Sequence, residues 1–418
     1  MFSRLVCLFS AGILMAQPAA APQDTARKAL DLLLAHKYAD VVALISPGSK
    51  ATNTEPVLAK KIPEDLGAVQ NIGTADVRKL GLTNVVYIPL KFASTDATFV
   101  AAVNEQGLLS IVRIDVDPWK HPPYSKPDSF KEREVTIGTQ YKLAGTLTIP
   151  NGPGPFPGVV LVHDSGAGTR DETVGAVKVF KDLAEGLASN GVMVLRYEKR
   201  TKTYPAVTQS RDYSPETEVI EDAALAAGVL RAQPELKPGK LFALGFGFGG
   251  YLMPRIAEAD GKLAGMAIVN GNERPLEDLA LDEAAYRKIQ GPQLVLIQEQ
   301  AGKIKRLTQA DVDTAALLGM LGPYLLDLKG YDPIAESKLV AIPMLVLQGG
   351  RDFQVNMKDF AAWTSGLKGV KNVTLKSYPT LDHVLVAGAG PSTENDYRKA
   401  GQHVAPEVIA DLAKWFNQ

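Results

Sequence analysis

From Glu132 to the end of the chain, apolar runs that suit buried strands alternate with segments of helical periodicity. Residues 158–163 (GVVLVH) and 191–197 (GVMVLRY) are two of these runs, and residues 177–188 between them have the apolar spacing of a helix. Parallel strands need long crossover connections, and helices in those connections cover both faces of the sheet. The alternation therefore predicts an α/β domain over residues 130–418 with a doubly wound, mostly parallel sheet.

The same patterning places the other elements of this domain. Strands are predicted at residues 135–137, 143–149, 240–244, 263–269, 344–347 and 373–378, and helices at residues 220–231, 252–259 and 404–416. Residues 271–337 interrupt the alternation with a helical insertion. An insertion at this place in the chain is expected to cover a site as a lid.

Residues 24–116 predict a separate, small α+β domain. Helices are predicted at residues 26–36 and 41–45, and strands at 85–92, 98–103 and 108–116, with a hairpin turn at 104–107. Residues 117–129 carry four prolines and are predicted to be a linker. Helices followed by a curved antiparallel sheet resemble the cystatin-like and nuclear-transport-factor-2-like folds. No catalytic set of side chains is found here, so a ligand-binding or homodimer-forming role and a spacer role both stay open.

The first 21 residues have the layout of a secretory signal. Arg4 precedes a largely apolar run over residues 5–15, and small residues follow from Ala16 onward. The run is too short to span a bilayer. Cys7, the only cysteine, lies inside this segment, so the mature chain is expected to have no thiol and no disulfide. The protein is predicted to be exported to the periplasm or the extracellular medium.

Composition excludes several classes of function. Lys and Arg number 45 against 46 Asp and Glu, and this balance argues against nucleic-acid binding, which normally requires a basic face. No later segment has eighteen consecutive apolar residues, so no membrane span is expected. No His, Asp and Glu grouping has the spacing of a zinc site, and no glycine-rich loop ends in Gly-Lys-Ser/Thr. Neither a metal nor another cofactor is predicted.

Residues 245–252 (GFGFGGYL) predict a strand, a sharp turn and a helix. Here the chain resembles the α/β-hydrolase family, in particular secreted serine hydrolases similar to dienelactone hydrolase and prolyl oligopeptidase. Their nucleophile elbow reads G-x-S-x-G-G, and Gly247 stands where the serine belongs. The resemblance extends to residues 163–172 (HDSGAGTRDE), close to the family's H-G-S-G loop followed by R-D-E, and to residues 196–200 (RYEKR), similar to its R-Y-D-K-R.

The resemblance implies a catalytic acid, a histidine and an oxyanion hole. Asp352 lies in a G-x-x-D-x-x-V turn after a predicted strand, and His383 follows the last strand, which gives the chain order elbow, acid, histidine of this fold. The backbone N–H of Phe248 and an N–H of the loop at Asp164 and Ser165 would form the oxyanion hole. The expected substrate pocket includes Phe246, Arg170 and Tyr251; Arg170 alternatively braces its loop through ion pairs.

Glycine at position 247 determines the functional hypothesis. Acyl transfer in this family requires a side-chain oxygen that the histidine can deprotonate, and glycine supplies none. We therefore expect a catalytically impaired protein of esterase or acyl-peptidase ancestry that binds an ester-like or peptide-like ligand. The Gly247→Ser variant is expected to regain some labelling by a fluorophosphonate probe.

Three alternatives remain. The first is an active carboxylic ester hydrolase that uses water or an unorthodox nucleophile, for which Ser165 is a candidate, although a loop hydroxyl is the simpler interpretation. The second places the function in residues 24–116, with the hydrolase domain as a scaffold. The third is dinucleotide binding, since Gly245, Gly247 and Gly250 fit G-x-G-x-x-G. The next strand ends at Asn270, where that fingerprint requires an acidic residue.

Overall fold

The computed structural model describes residues 20–61, 67–80, 83–92, 96–116, 119–310, 316–399 and 401–418. Most of the expected signal sequence therefore lies outside the described residues, as do residues 117–118 of the expected linker and 311–315 of the expected lid. The chain divides into two compact units, residues 1–118 and residues 119–418. In the part of the chain that the structure describes, no helix combines the length and apolarity needed to cross a bilayer.

The first unit is an antiparallel sheet with three helices. The helices are Pro22–Leu34 (α1), Tyr38–Leu44 (α2) and Glu55–Ala59 (α3); the strands are Val69–Ile72 (β1), Asp76–Leu80 (β2), Thr83–Phe92 (β3), Asp96–Val103 (β4) and Leu109–Val116 (β5). The sheet order is β1-β3-β4-β5, with β2 also paired to β3. The predicted helices and the three predicted strands are present. Strands β1 and β2 are additional, and their sequences VQNI and DVRKL lack the apolar runs that predict strands.

The second unit contains an eight-stranded mixed sheet of order β17-β16-β13-β12-β8-β11-β7-β6. Its strands are Phe130–Ile137 (β6), Leu143–Pro150 (β7), Phe156–Val162 (β8), Met193–Tyr197 (β11), Leu236–Phe246 (β12), Gly265–Val269 (β13), Met344–Gly349 (β16) and Val373–Tyr378 (β17). Strands β6 and β7 form the predicted hairpin, and β7 is also antiparallel to β11. The other neighbouring pairs are parallel. Two-residue ladders lie at Thr173–Val174 (β9) with Val177–Lys178 (β10), and at Ala316–Leu317 (β14) with Met320–Leu321 (β15).

Helices cover both faces of this sheet, and β8 shows why its sequence is apolar throughout. Val160 and Val162 belong to the hydrophobic core on one face, and Val159 and Leu161 belong to the core on the other. The helices of the sheet domain are Val179–Ala188 (α4), Arg200–Thr203 (α5), Glu221–Arg231 (α6), Phe248–Tyr251 (α7), Met253–Asp260 (α8), Met357–Gly366 (α13) and Pro406–Phe416 (α14). A strand buried on both faces loses the period-two alternation and becomes continuously apolar.

The expected lid is helical over its described residues. Its helices are Leu276–Tyr286 (α9), Pro292–Arg306 (α10), Gly322–Leu328 (α11) and Pro333–Val340 (α12). The expected linker differs from the structure from Trp119 onward, because the Trp119 indole N–H donates to Asp182 of α4 (2.7 Å) and Ser125 donates to Glu185 (2.7 Å). Residues 119–129 therefore pack as part of the second unit.

Candidate active site

The elbow at Gly247 has the backbone that the sequence predicts. Strand β12 ends at Phe246, helix α7 begins at Phe248, and Gly247 between them has φ +52° and ψ −117°. This conformation strains a residue that carries a side chain, whereas glycine adopts it freely. The chain therefore forms a sharp strand-to-helix turn at the carboxyl edge of the parallel strands.

The carboxylate of Asp164 occupies the space that a side chain at position 247 would need. A Cβ at position 247 would overlap Cγ and Oδ1 of Asp164 and would come within 2.7 Å of its Oδ2. Asp164 follows the neighbouring strand β8, and parallel strands of one sheet end at the same edge. Glycine at position 247 thus leaves a space at the elbow, and the loop after β8 places the carboxylate of Asp164 in it.

The oxyanion hole differs from the prediction in one respect. The N–H of Phe248 donates to Asp164 Oδ1 (2.7 Å), and the N–H of Ser165 donates to the same oxygen (2.6 Å). Two of the expected residues are therefore donors that converge on one point. Asp164, which was expected to contribute to the hole through its loop, instead fills it with its own side chain.

The acid and the histidine meet as the resemblance implies. His383 Nδ1 lies 2.7 Å from Asp352 Oδ2, and Asp352 Oδ1 accepts hydrogen bonds from the N–H groups of Gln354 (2.8 Å) and Val355 (2.9 Å). On its other side, His383 Nε2 lies 3.1 Å from Asp164 Oδ2. The imidazole is therefore held between two carboxylates, where a serine hydrolase would have one carboxylate and one hydroxyl.

Mutual electrostatic interactions control the protonation of His383 and Asp164. Burial alone would lower the pKa of His383, but the charge of Asp352 and the hydrogen bond to Asp164 raise it well above its usual value. Burial likewise opposes ionisation of Asp164, yet His383 and the two backbone donors hold the pKa of its carboxyl below the ordinary range. At neutral pH the pair is therefore an imidazolium and a carboxylate.

Two buried groups lie next to this pair. His163 packs between Phe180 and Tyr197, and burial lowers its pKa to about 3, so it is a neutral core histidine, as the sequence indicates. Glu172 is 5% exposed, and burial together with the charge of Asp164 raises its pKa to about 8. A neutral Glu172 adds no second negative charge beside Asp164.

A cavity of about 770 Å³ opens above these groups. Asp164, Phe248 and His383 lie in its wall, so the carboxylate and the imidazole both face the space in which a ligand would bind. Lid residues complete the enclosure, among them Leu276, Leu279, Ala280, Met320 and Tyr324. The described part of the insertion thus covers the site.

A family model and curated proteins resemble this chain. Residues 143–308 match the dienelactone hydrolase family. Esterase EstD from Thermotoga maritima is 38% identical over 295 residues, which are 70% of this chain and 69% of that protein. The chain belongs to the dienelactone hydrolase family. The family assignment and the eight-stranded mixed sheet confirm the predicted α/β-hydrolase fold.

More distant similarities cover smaller or less similar regions. Human mitochondrial acyl-coenzyme A thioesterase 2 is 26% identical over 153 residues, and these residues are 37% of this chain and 28% of the thioesterase. An esterase from Pyrococcus furiosus aligns in structure with a TM-score of 0.46 at 15% identity, covering 71% of this chain and 96% of that one.

Three residues expected in the substrate pocket lie elsewhere. Phe246 is fully buried beneath the site, with its ring centroid 5.0 Å from that of His383. Tyr251 is 1% exposed and packs edge-on against Tyr331. Arg170 pairs with Glu134 (2.6 Å) and Glu198 (3.1 Å), so it braces the loop rather than the ligand.

The glycines of the dinucleotide fingerprint have another explanation in this family member. A Cβ at Gly245 would overlap the backbone of Gly249 at the start of α7, and one at Gly250 would approach Gly271 Cα to 2.9 Å. Asn270, where the fingerprint needs an acid, is buried and donates to the His383 carbonyl (2.6 Å). Close packing of α7 on the sheet therefore accounts for these glycines without a nucleotide. Among the described residues, no cluster of His, Cys, Asp and Glu has the arrangement of a metal site.

Sequence reasoning did not identify the side chain of Asp164 as a partner of His383. A signal was present, because the two motifs that the sequence resembles differ from it at Asp164, where H-G-S-G has glycine, and at Gly247, where G-x-S-x-G-G has serine. The two motifs belong to neighbouring strands β8 and β12, which places the two departures side by side. Asn270 and Gln348, which position the His383 loop and the Asp352 turn, carry no sequence signal of their own.

Proposed function

We propose that this dienelactone hydrolase family protein binds an ester-like or peptide-like ligand but does not hydrolyse it through a serine acyl-enzyme. One observation carries the proposal: the carboxylate of Asp164 occupies both the place of the serine side chain and the donors of the oxyanion hole. Acyl transfer needs the nucleophile and the two donors free at the same time. Here neither is available.

Electrostatics adds to this obstruction. A tetrahedral intermediate carries its negative charge on the oxygen that Phe248 N–H and Ser165 N–H would stabilise. The carboxylate at that point would repel such an oxygen. Loss of the nucleophile in other serine hydrolases lowers kcat by about 10⁶. We expect a loss of that order here for ester and peptide substrates.

The cavity supports ligand binding. Its wall combines apolar side chains, several of them from the lid, with a comparable number of polar ones that can orient a bound molecule. Most of the polar groups in the wall already have partners: the Glu218 carboxylate accepts hydrogen bonds from Tyr213 (2.8 Å) and Tyr324 (2.7 Å) and pairs with Lys199 (2.9 Å). A neutral ligand with a sizeable apolar part fits these surroundings.

The test compares this protein with esterase EstD from Thermotoga maritima as a positive control. We expect no turnover of p-nitrophenyl acetate or butyrate above the uncatalysed rate, and no labelling by a fluorophosphonate probe, which requires an activated hydroxyl. Turnover at ordinary esterase rates that is lost in His383→Ala would overturn the proposal. Labelling that is lost in Ser165→Ala would establish the unorthodox-nucleophile alternative instead.

We further propose that the chain is exported after removal of a signal peptide by cleavage within residues 1–21. The sequence pattern supports this proposal: Arg4, the apolar run over residues 5–15 and the small residues after it. Expression of the full chain with cell fractionation, followed by mass spectrometry of the N-terminus, tests it. An intact Met1 in the cytoplasmic fraction would contradict it.

The homodimer-forming role of residues 24–116 stays a prediction. The unit has its own apolar core, in which α1 packs on the sheet through Ala26, Leu30 and Leu33. Sedimentation of the mature chain measures its oligomeric state. A monomer at all concentrations would leave this unit with a ligand-binding or spacer role.

A further inference from the structure

The two oxygens of Asp164 have different surroundings. Oδ1 accepts both backbone hydrogen bonds, from Phe248 (2.7 Å) and Ser165 (2.6 Å). Oδ2 contacts His383 Nε2 at 3.1 Å, and the Asp164 side chain is 20% exposed to the cavity. One oxygen is therefore held by two backbone N–H groups, while the other contacts a histidine that Asp352 orients, and the Asp164 side chain as a whole lines the cavity. A carboxylate nucleophile requires one oxygen that attacks the substrate and a second oxygen that accepts stabilising hydrogen bonds.

We infer that Asp164 is a nucleophile, and that this site hydrolyses neutral alkyl halides through a covalent alkyl ester of Asp164. The inference rests on the proposed absence of serine chemistry at position 247. It adds an activity to that proposal and concerns a different class of substrate.

Leaving-group chemistry explains why this nucleophile suits a halide and not an ester. Attack of a carboxylate on an ester carbonyl gives an intermediate that can expel either the carboxylate or an alkoxide. The conjugate acid of the carboxylate is stronger by on the order of ten pKa units, so the carboxylate leaves and no hydrolysis results. Attack on a saturated carbon has no such return path, because the departing halide is the weaker base.

The first step is a displacement at saturated carbon. Oδ2 of Asp164 donates an electron pair to the carbon, the new C–O bond forms, and the carbon–halogen bond breaks with its electron pair leaving on the halide ion. Charge spreads from the carboxylate over the attacking and leaving atoms in the transition state. The lid residues that cover the cavity partly shield the carboxylate from water, and this desolvation disfavours its compact charge more than the dispersed charge, which favours this step.

The second step returns the enzyme to its starting state. His383 Nε2 takes a proton from water, and the hydroxide oxygen bonds to Cγ of Asp164. The electron pair of the C=O bond moves to Oδ1, where the N–H groups of Phe248 and Ser165 stabilise it. Collapse of this intermediate breaks the bond between Cγ and the alkoxy oxygen, and the alkoxide takes the proton that His383 holds. The carboxylic acid left on Asp164 gives its proton back to His383, which restores the carboxylate and the imidazolium. The sum is alkyl halide plus water giving alcohol, halide ion and a proton.

Charge coupling switches His383 between the two steps. With Asp164 ionised, His383 lies between two negative charges and is held as an imidazolium. Ester formation removes the charge of Asp164, so one of the interactions that raise the pKa of His383 is lost and that pKa falls; the second step requires His383 then to lose its proton to solvent. The neutral imidazole is then the base that the second step needs. Asp352 stays paired to Nδ1 and keeps the ring in position (2.7 Å).

The cavity wall favours a neutral substrate and a leaving group that needs no proton. Glu218 and Glu283, which line the cavity together with Asp164, are paired with Lys199 (2.9 Å) and Arg287 (2.6 Å). Opening of an epoxide would instead leave an alkoxide that needs an acid on the far side of the reacting carbon. The cavity tyrosines Tyr213 and Tyr324 already donate their hydroxyl hydrogens to Glu218. A halide ion departs without such an acid.

The experiment follows the label into the protein. Wild-type protein in excess undergoes a single turnover with 1-bromobutane or 1-bromohexane in H₂¹⁸O. The mass of the peptide that contains Asp164 is then measured by mass spectrometry. We expect bromide release together with incorporation of ¹⁸O into the Asp164 carboxylate, because water attacks Cγ rather than the substrate. Incorporation into the alcohol alone, or no bromide release above the uncatalysed rate with either substrate, would overturn the inference.

A matched pair of variants tests the two steps separately. In His383→Gln the ester should accumulate to one alkyl group per protein molecule, located on Asp164, with a single release of bromide. In Asp164→Asn both the alkyl group and the bromide release should be lost; an equal adduct in this variant would contradict the inference. Ester turnover is measured on the same samples, so failure of the proposed function is seen as p-nitrophenol release, independently of bromide.

Discussion

The two halves of the candidate site have diverged to different extents. The half formed by Asp352 and His383 keeps the family's residues, and the structure holds them 2.7 Å apart. The half formed by the elbow and the loop after β8 has Gly247 and Asp164, where the motifs that the sequence resembles have serine and glycine. A site that had only lost its serine would leave a gap at the elbow. This one has filled the gap with a carboxylate that hydrogen-bonds to the conserved half.

The comparison shows that the two departures fit each other. Removal of the side chain at 247 provides the space that the Asp164 carboxylate occupies, and the donors released from the oxyanion role hold that carboxylate. An aspartate at 164 together with a serine at 247 would be unfavourable, because the serine Cβ would overlap the Asp164 carboxylate and this carboxylate would repel an oxyanion. The altered half is therefore a coherent arrangement.

The double change Asp164→Gly with Gly247→Ser is expected to have the largest effect, because it gives the altered half the residues of the serine hydrolase motifs. It frees the Phe248 and Ser165 donors and gives His383 a hydroxyl to deprotonate. We expect p-nitrophenyl butyrate hydrolysis to rise by on the order of 10²–10³-fold over wild type, with new labelling by a fluorophosphonate probe.

The single change Gly247→Ser is the control for this experiment. A Cβ at 247 overlaps the Asp164 carboxylate, so this variant should stay unlabelled or lose stability. The structure thus revises the expectation, drawn from the sequence, that the serine alone restores labelling. Equal esterase activity in the single and double variants would show that Asp164 does not block the elbow.

The sequence predicts the strands and turns that form the site better than it predicts the contacts of individual side chains. Apolar runs identify β8, β11 and β13 because these strands are buried on both faces, and motif spacing places Asp352 and His383 after theirs. The role of Asp164 depends on a side chain crossing to a neighbouring strand, which no periodicity encodes. Phe246 was expected in the pocket because it flanks the elbow. The alternation of side chains along β12 instead directs it into the hydrophobic core that contains Val159 and Leu161.

Asn270→Ala tests how the conserved half is supported. Asn270 is fully buried, its Nδ2 donates to the His383 carbonyl (2.6 Å), and its Oδ1 accepts from the Gly349 N–H (2.8 Å). Alanine leaves two buried backbone groups unpaired, and we expect a loss of about 2–4 kcal/mol in the free energy of unfolding, measured by urea denaturation.

Asn356→Ala is a matched control outside the site, since Asn356 caps α13 by accepting from the Lys358 N–H (3.0 Å) and donates to Asp282 (3.2 Å). Loss of this cap should lower the free energy of unfolding by about 1 kcal/mol. If the two variants lose the same amount, Asn270 is not a special support of the His383 loop.

Asp164→Asn separates the halves electrostatically. The amide keeps an oxygen for the backbone donors but removes the charge, so the pKa of His383 should fall, as NMR titration of its ring would show. We expect the variant to lose about 1–2 kcal/mol of stability at neutral pH. An unchanged histidine pKa would mean that Asp352 alone sets its protonation.

The sign of the pH dependence follows from the two shifts. The pKa of His383 is raised in the folded state, so its contribution is complete below the unfolded value near 6.5 and is lost as pH rises through the raised value. The pKa of Asp164 is lowered, so its contribution is present above 3.8 and is lost as pH falls through the lowered value. The difference between wild type and Asp164→Asn should therefore be largest between these limits and shrink outside them.

Arg170→Met should have the smallest effect, and it shows where the altered half ends. Arg170 belongs to the same loop as Asp164 but points to Glu134 and Glu198, and Glu134 is 68% exposed, so solvent screens much of that pairing. We expect a loss of about 0.5–1 kcal/mol in the free energy of unfolding, with ligand binding and bromide release unchanged. A drop in bromide release at constant stability would instead bring Arg170 into the ligand site, and the altered half would then extend along the whole loop after β8.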